Sequence, residues 1–259
     1  MEKIYGTGLR WSGKDHRDKM YSVSQPVPLP PEFDFQRPVI DWMYNQSTTS
    51  SCTAQAAVSL ERIVNKKVGM PLVIPSRLFL YWIERKLEGH VELDDGAMIR
   101  SSMKVMANWG VCPEEMFPFT DANMFAQPSE ECFRVAVQNM VKIYMRIDRQ
   151  EQKLKQCLVD GFPFVFGVNL YSSIMGDETA RTGVIQMPTA QDKIIGGHAV
   201  LGVGYTKTHY IFMNSWGPKW GDQGYGYLPQ EVMHSELCDD FFTVRQMEPL
   251  DPMRKYKTL

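Results

Sequence analysis

"GGHAVLGVGY" (residues 196–205) and "NSWGPKWGDQGYG" (residues 214–226) decide how this chain is read. The first block and the run HYIFMNS that leads into the second have the composition of strands, and Thr206-Lys207-Thr208 between them reads as a hairpin turn. If the two strands pair in antiparallel fashion, His198 at the start of one lies beside Asn214 at the end of the other. An imidazole base next to a neutral amide that orients it is the remainder of a Cys-His-Asn set. What it lacks is a nucleophile.

The nucleophile is sought in "YNQSTTSSCTAQAA", residues 44–57. After Cys52, the residues Thr53, Ala56, Ala57, Leu60, Ile63 and Val64 share one helical face, and Gly69-Met70-Pro71 ends the run. Cys52 therefore stands at a helix N-terminus, where unpaired backbone N–H groups and the positive end of the dipole favour a thiolate. The competing reading is a cysteine buried as a small hydrophobe. His198 decides between them, whereas His16, His90, His209 and His234 read as ordinary core or surface residues.

Outward from these two blocks the chain divides by period. Helices are expected at about 76–88 (SRLFLYWIERKLE, stopped by Gly89) and at about 97–109, where Ile99, Met103, Met106 and Ala107 share a face before Gly110. After a short amphipathic helix at about 151–160, the runs FPFVFGVNLY, HAVLGVGYT, HYIFMNS, GYGYLP and DFFTVRQ read as strands. A loop at about 172–196 is long enough to be functional or mobile. Residues 1–37 are polar and then proline-rich, an extended arm and a possible pro-segment, expected to pack permanently on the outside. The expected organisation is the arm at 1–37, a mainly helical lobe with the cysteine at 38–148, and a mainly β lobe with the histidine and asparagine at 149–259, its C-terminal segment returning to the helical lobe.

Composition sets the outer limits. The 259 residues, 44% hydrophobic and 22% charged, suffice for one large domain or two lobes. A net charge of -2 gives no footprint for nucleic acid, and no run of residues is apolar enough for a membrane span. The first residues lack the apolar core of a signal peptide, so the expectation is a chain not secreted by its own signal, cytoplasmic or, if viral, in the host cytoplasm or virion. Five scattered cysteines (Cys52, Cys112, Cys132, Cys157, Cys238) give neither a disulfide framework nor zinc spacing, so no metal or cofactor is expected. The sequon at Asn45-Gln46-Ser47 reads as coincidence.

The two blocks, the 146-residue interval from Cys52 to His198, and Gln46 six residues before Cys52 together resemble the papain-like cysteine protease family. The ungapped motif N-S-W-G-x-x-W-G-x-x-G-Y is long, and the resemblance runs from about Pro30 onward. The segments "PSRLFLYWIERK" and "DDGAMIRSSMKVMANWGVCPEE" resemble the short papain-like enzymes of bacteria and large DNA viruses. The resemblance implies an α+β, two-lobed fold, a helical left lobe and an antiparallel β-barrel-like right lobe with the site in the cleft between them.

It also implies roles. Cys52 would attack a peptide carbonyl, His198 would hold it as a thiolate–imidazolium pair and protonate the departing amine, and Asn214 would orient His198. Trp216 would shield the His–Asn bond, and Gln46 with the Cys52 backbone N–H would form the oxyanion hole. Gly96 would pair with the substrate backbone in antiparallel fashion, and Ala199 would help line the second subsite. Met98 and Phe242 are assigned either to that pocket or to the core, and Trp220 either flanks the leaving-group side or packs. The expected partner is an extended or unfolded polypeptide, met by a monomer, and no adjacent histidine pair suggests an exopeptidase loop. The remaining alternatives are an acyl transferase or ligase on the same site, and a catalytically silent papain-like binding module. Ser47 and Ser50 depart from the family's glycines in a loop that needs unusual dihedrals or close backbone approach.

Overall fold

The computed structural model describes residues 5–23, 27–34, 42–71, 73–251 and 253–257. The expected arm boundary at 37/38 lies outside them. The helices are α1 (Cys52–Lys67), α2 (Arg77–Glu88), α3 (Ile99–Asn108), α4 (Glu130–Ala136), α5 (Glu151–Val159), α6 (Asp177–Thr182) and α7 (Gln230–His234). The strands are β1 (Leu9–Arg10), β2 (Phe33–Asp34), β3 (Ala97–Met98), β4 (Val141–Arg146), β5 (Phe164–Tyr171), β6 (Ile194–Tyr205), β7 (His209–Met213), β8 (Tyr225–Pro229) and β9 (Cys238–Met247).

Local chemistry fixes the helix ends. Ser76 caps α2, its hydroxyl accepting from the Phe79 N–H, and Gly89 ends the helix at φ 82°, where a glycine carries no Cβ penalty. Ser129 caps α4 in the same way through the Cys132 N–H. The helix α1 begins on Cys52 with no acidic residue in its first turn, so its positive end is left uncompensated there.

The larger sheet runs β4-β9-β5-β6-β7-β8, with β2 added on β6. All its named pairings are antiparallel. Strand alternation splits its side chains between two cores. Val165, Ala199, Leu201, Met213 and Val244 face the helical lobe of α1, α2 and α3. Phe164, Phe166, Val200, Phe212 and Phe241 face the far side, toward α5 and α7. A papain-like α+β arrangement results, with helices before the sheet and one face of the sheet closed by α1.

Two differences from expectation have local causes. The stretch 172–196 carries a 3-10 turn at Ser172–Met175 and the helix α6, and Ile194 already belongs to β6. Asp192 fastens the rest by accepting from the Ser172 hydroxyl and the Ser173 and Thr189 N–H groups. The arm does not lie outside: Leu9–Arg10 pairs in parallel with Ala97–Met98, and the Gly8 N–H donates to Gly197 O at 3.0 Å. It runs between the helical lobe and the sheet.

Candidate active site

The hairpin of β6 and β7 pairs Leu201 with Met213 and Tyr205 with Tyr210. Extending that register places Val200 opposite Asn214, and His198, two residues earlier on the same strand, meets Asn214 diagonally: His198 Nε2 lies 2.8 Å from Asn214 Oδ1. The same oxygen accepts the Ser215 N–H at 2.8 Å, so the amide presents its oxygen to the ring and His198 carries its proton on Nε2. The Nδ1 lone pair is thus left over, buried and without a hydrogen-bond partner among the described residues. Trp216 stacks on His198 at 4.7 Å between ring centroids, covering the His–Asn bond. Trp220 is buried and meets Trp216 edge-on at 5.2 Å, a packing position.

The loop before α1 is bound to the other lobe. Gln46 N–H donates to Ser215 O, Gly217 N–H donates to Tyr44 O, and the Ser215 hydroxyl donates to Gln46 Oε1 at 2.5 Å. Gln46 Nε2 donates one hydrogen to Thr49 O at 2.7 Å and retains a second. Ser47 takes φ 54°, the left-handed conformation expected where the family has glycine, and the Asn45 side chain holds it by accepting the Ser47 N–H. Ser50 is fixed to Asp94 through its N–H and its hydroxyl.

Cys52 is fully buried at the start of α1, in the same core as Ala199, the residue next to His198. Burial pushes the Cys52 thiol up to about 12 and pulls the His198 imidazole down to about 4, so beneath the arm both are neutral. Behind them, the Thr53 hydroxyl donates to Glu84 Oε2 at 2.8 Å. Burial raises the Glu84 carboxyl to about 8, which keeps a negative charge from opposing a thiolate at neutral pH. The folded pKa exceeds the ordinary value of 4.5, so stability is lost as pH rises from 4.5 to about 8. Glu84→Gln is therefore expected to match the native chain near pH 4 and to exceed it increasingly toward pH 8. Denaturant melts at several pH values check this, with a gain of up to about 3 kcal/mol at pH 7.

The residues expected on the substrate side surround the arm. Gly96 has φ 90° and its N–H donates to the Tyr81 hydroxyl; a Cβ there would stand 2.7 Å from Gly8 Cα. Ala97 N–H donates to Gly8 O at 2.9 Å, and Met98 pairs with Arg10. Ala199 is buried opposite Gly167, where Leu9 and Trp11 of the arm approach. Phe242 is fully buried under the guanidinium groups of Arg100 and Arg146. At the other end, Tyr5 stacks on Trp216 at 4.5 Å, and the Trp216 indole N–H donates to Gly6 O. The sequence reading favoured packing on the outside over this occupancy; the signal for it is Tyr-Gly-Thr-Gly-Leu at 5–9, two glycines in an otherwise polar stretch.

Comparison with known proteins gives the family and the fold. The papain family cysteine protease pattern matches residues 29–240. An uncharacterised peptidase C1-like protein of Acanthamoeba polyphaga mimivirus is 35% identical over 216 residues, 78% of this chain and 69% of that protein. Mouse cathepsin K is 25% identical over 237 residues, 88% of this chain and 68% of the relative. The crystal structure of xylellain, a cysteine protease from Xylella fastidiosa, superposes with a TM-score of 0.88 at 36% identity, covering 95% of this chain and 98% of that one. The chain belongs to the papain family of cysteine proteases, a family of hydrolases that act on polypeptides.

Proposed function

We propose that the chain is an endopeptidase working through Cys52, His198 and Asn214 and a thioester acyl-enzyme. The observation that carries this reading is the unused Nδ1 lone pair of His198, whose other nitrogen is tied to Asn214 while the neighbouring Ala199 packs in the same core as Cys52. His198 Nδ1 takes the thiol proton, and Cys52 Sγ adds to the peptide carbonyl. The spare hydrogen of Gln46 Nε2 and the Cys52 N–H stabilise the oxyanion. His198 then returns its proton to the leaving amine, and a water deprotonated by the same ring cleaves the thioester. Five free, buried cysteines support work in a reducing compartment.

The arm fits this scheme as a blockade. It pairs in parallel with Ala97–Met98, whereas the expected substrate pairs there in antiparallel fashion. Its polarity is reversed, so its carbonyls are not presented for attack as those of a substrate would be. Gln46→Ala is expected to lower turnover by about 10²–10³ while leaving the fold intact.

The test is mass spectrometry of an unfolded polypeptide incubated with the Gly8→Ala chain, whose arm is loosened in its seat, and with Gly8→Ala/Cys52→Ala. New internal amino and carboxyl termini are expected only from the chain that retains Cys52. New amide bonds to an added amine without free carboxyl termini would point to acyl transfer, and an unchanged polypeptide would overturn the enzymatic reading.

A further inference from the structure

Past the point where the arm crosses β6, two buried arginines meet it from different elements. Arg100, in the first turn of α3, and Arg146, at the end of β4, are each about 6% exposed. Among the described residues, all four hydrogen bonds of the Arg100 guanidinium go to the arm: two to the Asp18 carboxylate, at 3.0 and 2.6 Å, and one each to Ser12 O and Gly13 O. Arg146 donates to Gly13 O at 2.9 Å and lies 3.7 Å from Asp18. It also pairs with Asp239 at 2.9 Å and Asp240 at 3.0 Å. Asp240 in turn accepts from the Ser12 N–H and hydroxyl.

The charges do not survive the arm's departure equally. With Asp18 in place, two guanidinium groups face three carboxylates, and each cation is matched. Without the arm, Arg146 keeps Asp239 and Asp240, while Arg100 loses the Asp18 ion pair and every hydrogen bond named above. A guanidinium fork over an aromatic ring, stripped of its acceptors, is costly unless another carboxylate takes the place. The Phe242 ring lies 5.7 Å below Arg100, so the fork already has its apolar floor. Asp18 itself is a planar carboxylate bound bidentately, the chemistry that a Glu or Asp side chain of a substrate would reproduce.

We propose that Arg100 and Arg146 form a carboxylate-binding subsite at the Leu9–Ser12 end of the cleft, filled in cis by Asp18 and in the open enzyme by an acidic side chain of the polypeptide substrate. This rests on the peptidase reading of the cleft and deepens it by naming a substrate class: chains carrying an acidic residue on the side that becomes the acyl half.

The test uses the full chain carrying Gly8→Ala to lift the arm, Asp18→Asn to remove the resident carboxylate, and Cys52→Ala to stop turnover. Short fluorescent peptides, with a single Glu or its isostere Gln walked along a leucine-bearing frame, are titrated by anisotropy. At one position Glu is expected to bind at least about tenfold more tightly than Gln, a preference that fades with salt. Arg100→Gln reduces it to less than about twofold, and Arg100→Lys, which keeps the charge without the fork, gives an intermediate value. No Glu preference at any position, or one that persists in both Arg100 variants, overturns the proposal. Binding is read without hydrolysis, so acid-selective binding in a chain that cleaves nothing once Cys52 is restored would overturn the peptidase reading and leave the subsite.

Discussion

Placing alanine at Gly8 raises the rate at which the full chain cleaves an unfolded polypeptide by at least about tenfold. A Cβ at that position would lie 2.6 Å from Ser50 Cβ and closer still to the Ser50 backbone, which Asp94 holds in place. Overpacking of this kind costs about 1–3 kcal/mol, and the seat it weakens is the one made by Gly8 N–H to Gly197 O and Ala97 N–H to Gly8 O. Gly6→Ala acts in the same direction, since its Cβ would stand 2.8 Å from Gln46 Nε2. Hydrogen exchange gives a parallel readout: the amides of residue 8 and of Ala97 exchange faster in either variant. Faster exchange with an unchanged cleavage rate would show that the arm is not the barrier.

The second large effect is the loss at His198. In the Gly8→Ala chain, His198→Ala is expected to lower kcat/KM by about 10³–10⁴, as removal of a general base that also serves as acid does. The pH dependence gives the sign. Beneath the arm, burial holds the thiol at about 12 and the imidazole at about 4, so the pair stays neutral across the physiological range. Readmitting water weakens both desolvation effects, lowering the thiol and raising the imidazole toward the crossing at which the proton moves from Cys52 to His198. Alkylation of Cys52 by iodoacetamide should therefore climb only at alkaline pH in the native chain. In Gly8→Ala it should already proceed near neutrality, and His198→Ala should return it to the alkaline range.

The parts of the site that sit on regular elements were legible in the sequence. The antiparallel pairing that brings His198 within reach of Asn214 follows from a short turn between two strands, and the N-terminal place of Cys52 follows from the helical pattern after it. Ser47 was legible as a residue in a glycine's place, and its φ of 54° shows how the loop accepts it. The extent of β6 toward Ile194 and the helix α6 were not, because the former depends on pairing with β5 and the latter is six residues long. The strand β4 was missed for a related reason: it is held by edge pairing with β9 and by the bridge from arm residue Met20 to Arg146. The arm itself gives no periodic signal, since its place is set by backbone bonds from Gly6, Gly8 and Leu9 rather than by an apolar face. Nothing in the sequence singles out Arg100 and Arg146, because their partners lie more than eighty residues away.

The most direct test is intact-mass analysis and peptide mapping of the Gly8→Ala chain after treatment with a peptidyl epoxide, with Gly8→Ala/His198→Ala treated alongside. One adduct, at Cys52, formed only where His198 is present, is the predicted result. No adduct, an adduct at Cys112, Cys132, Cys157 or Cys238, or equal labelling of Cys52 without His198 would contradict it.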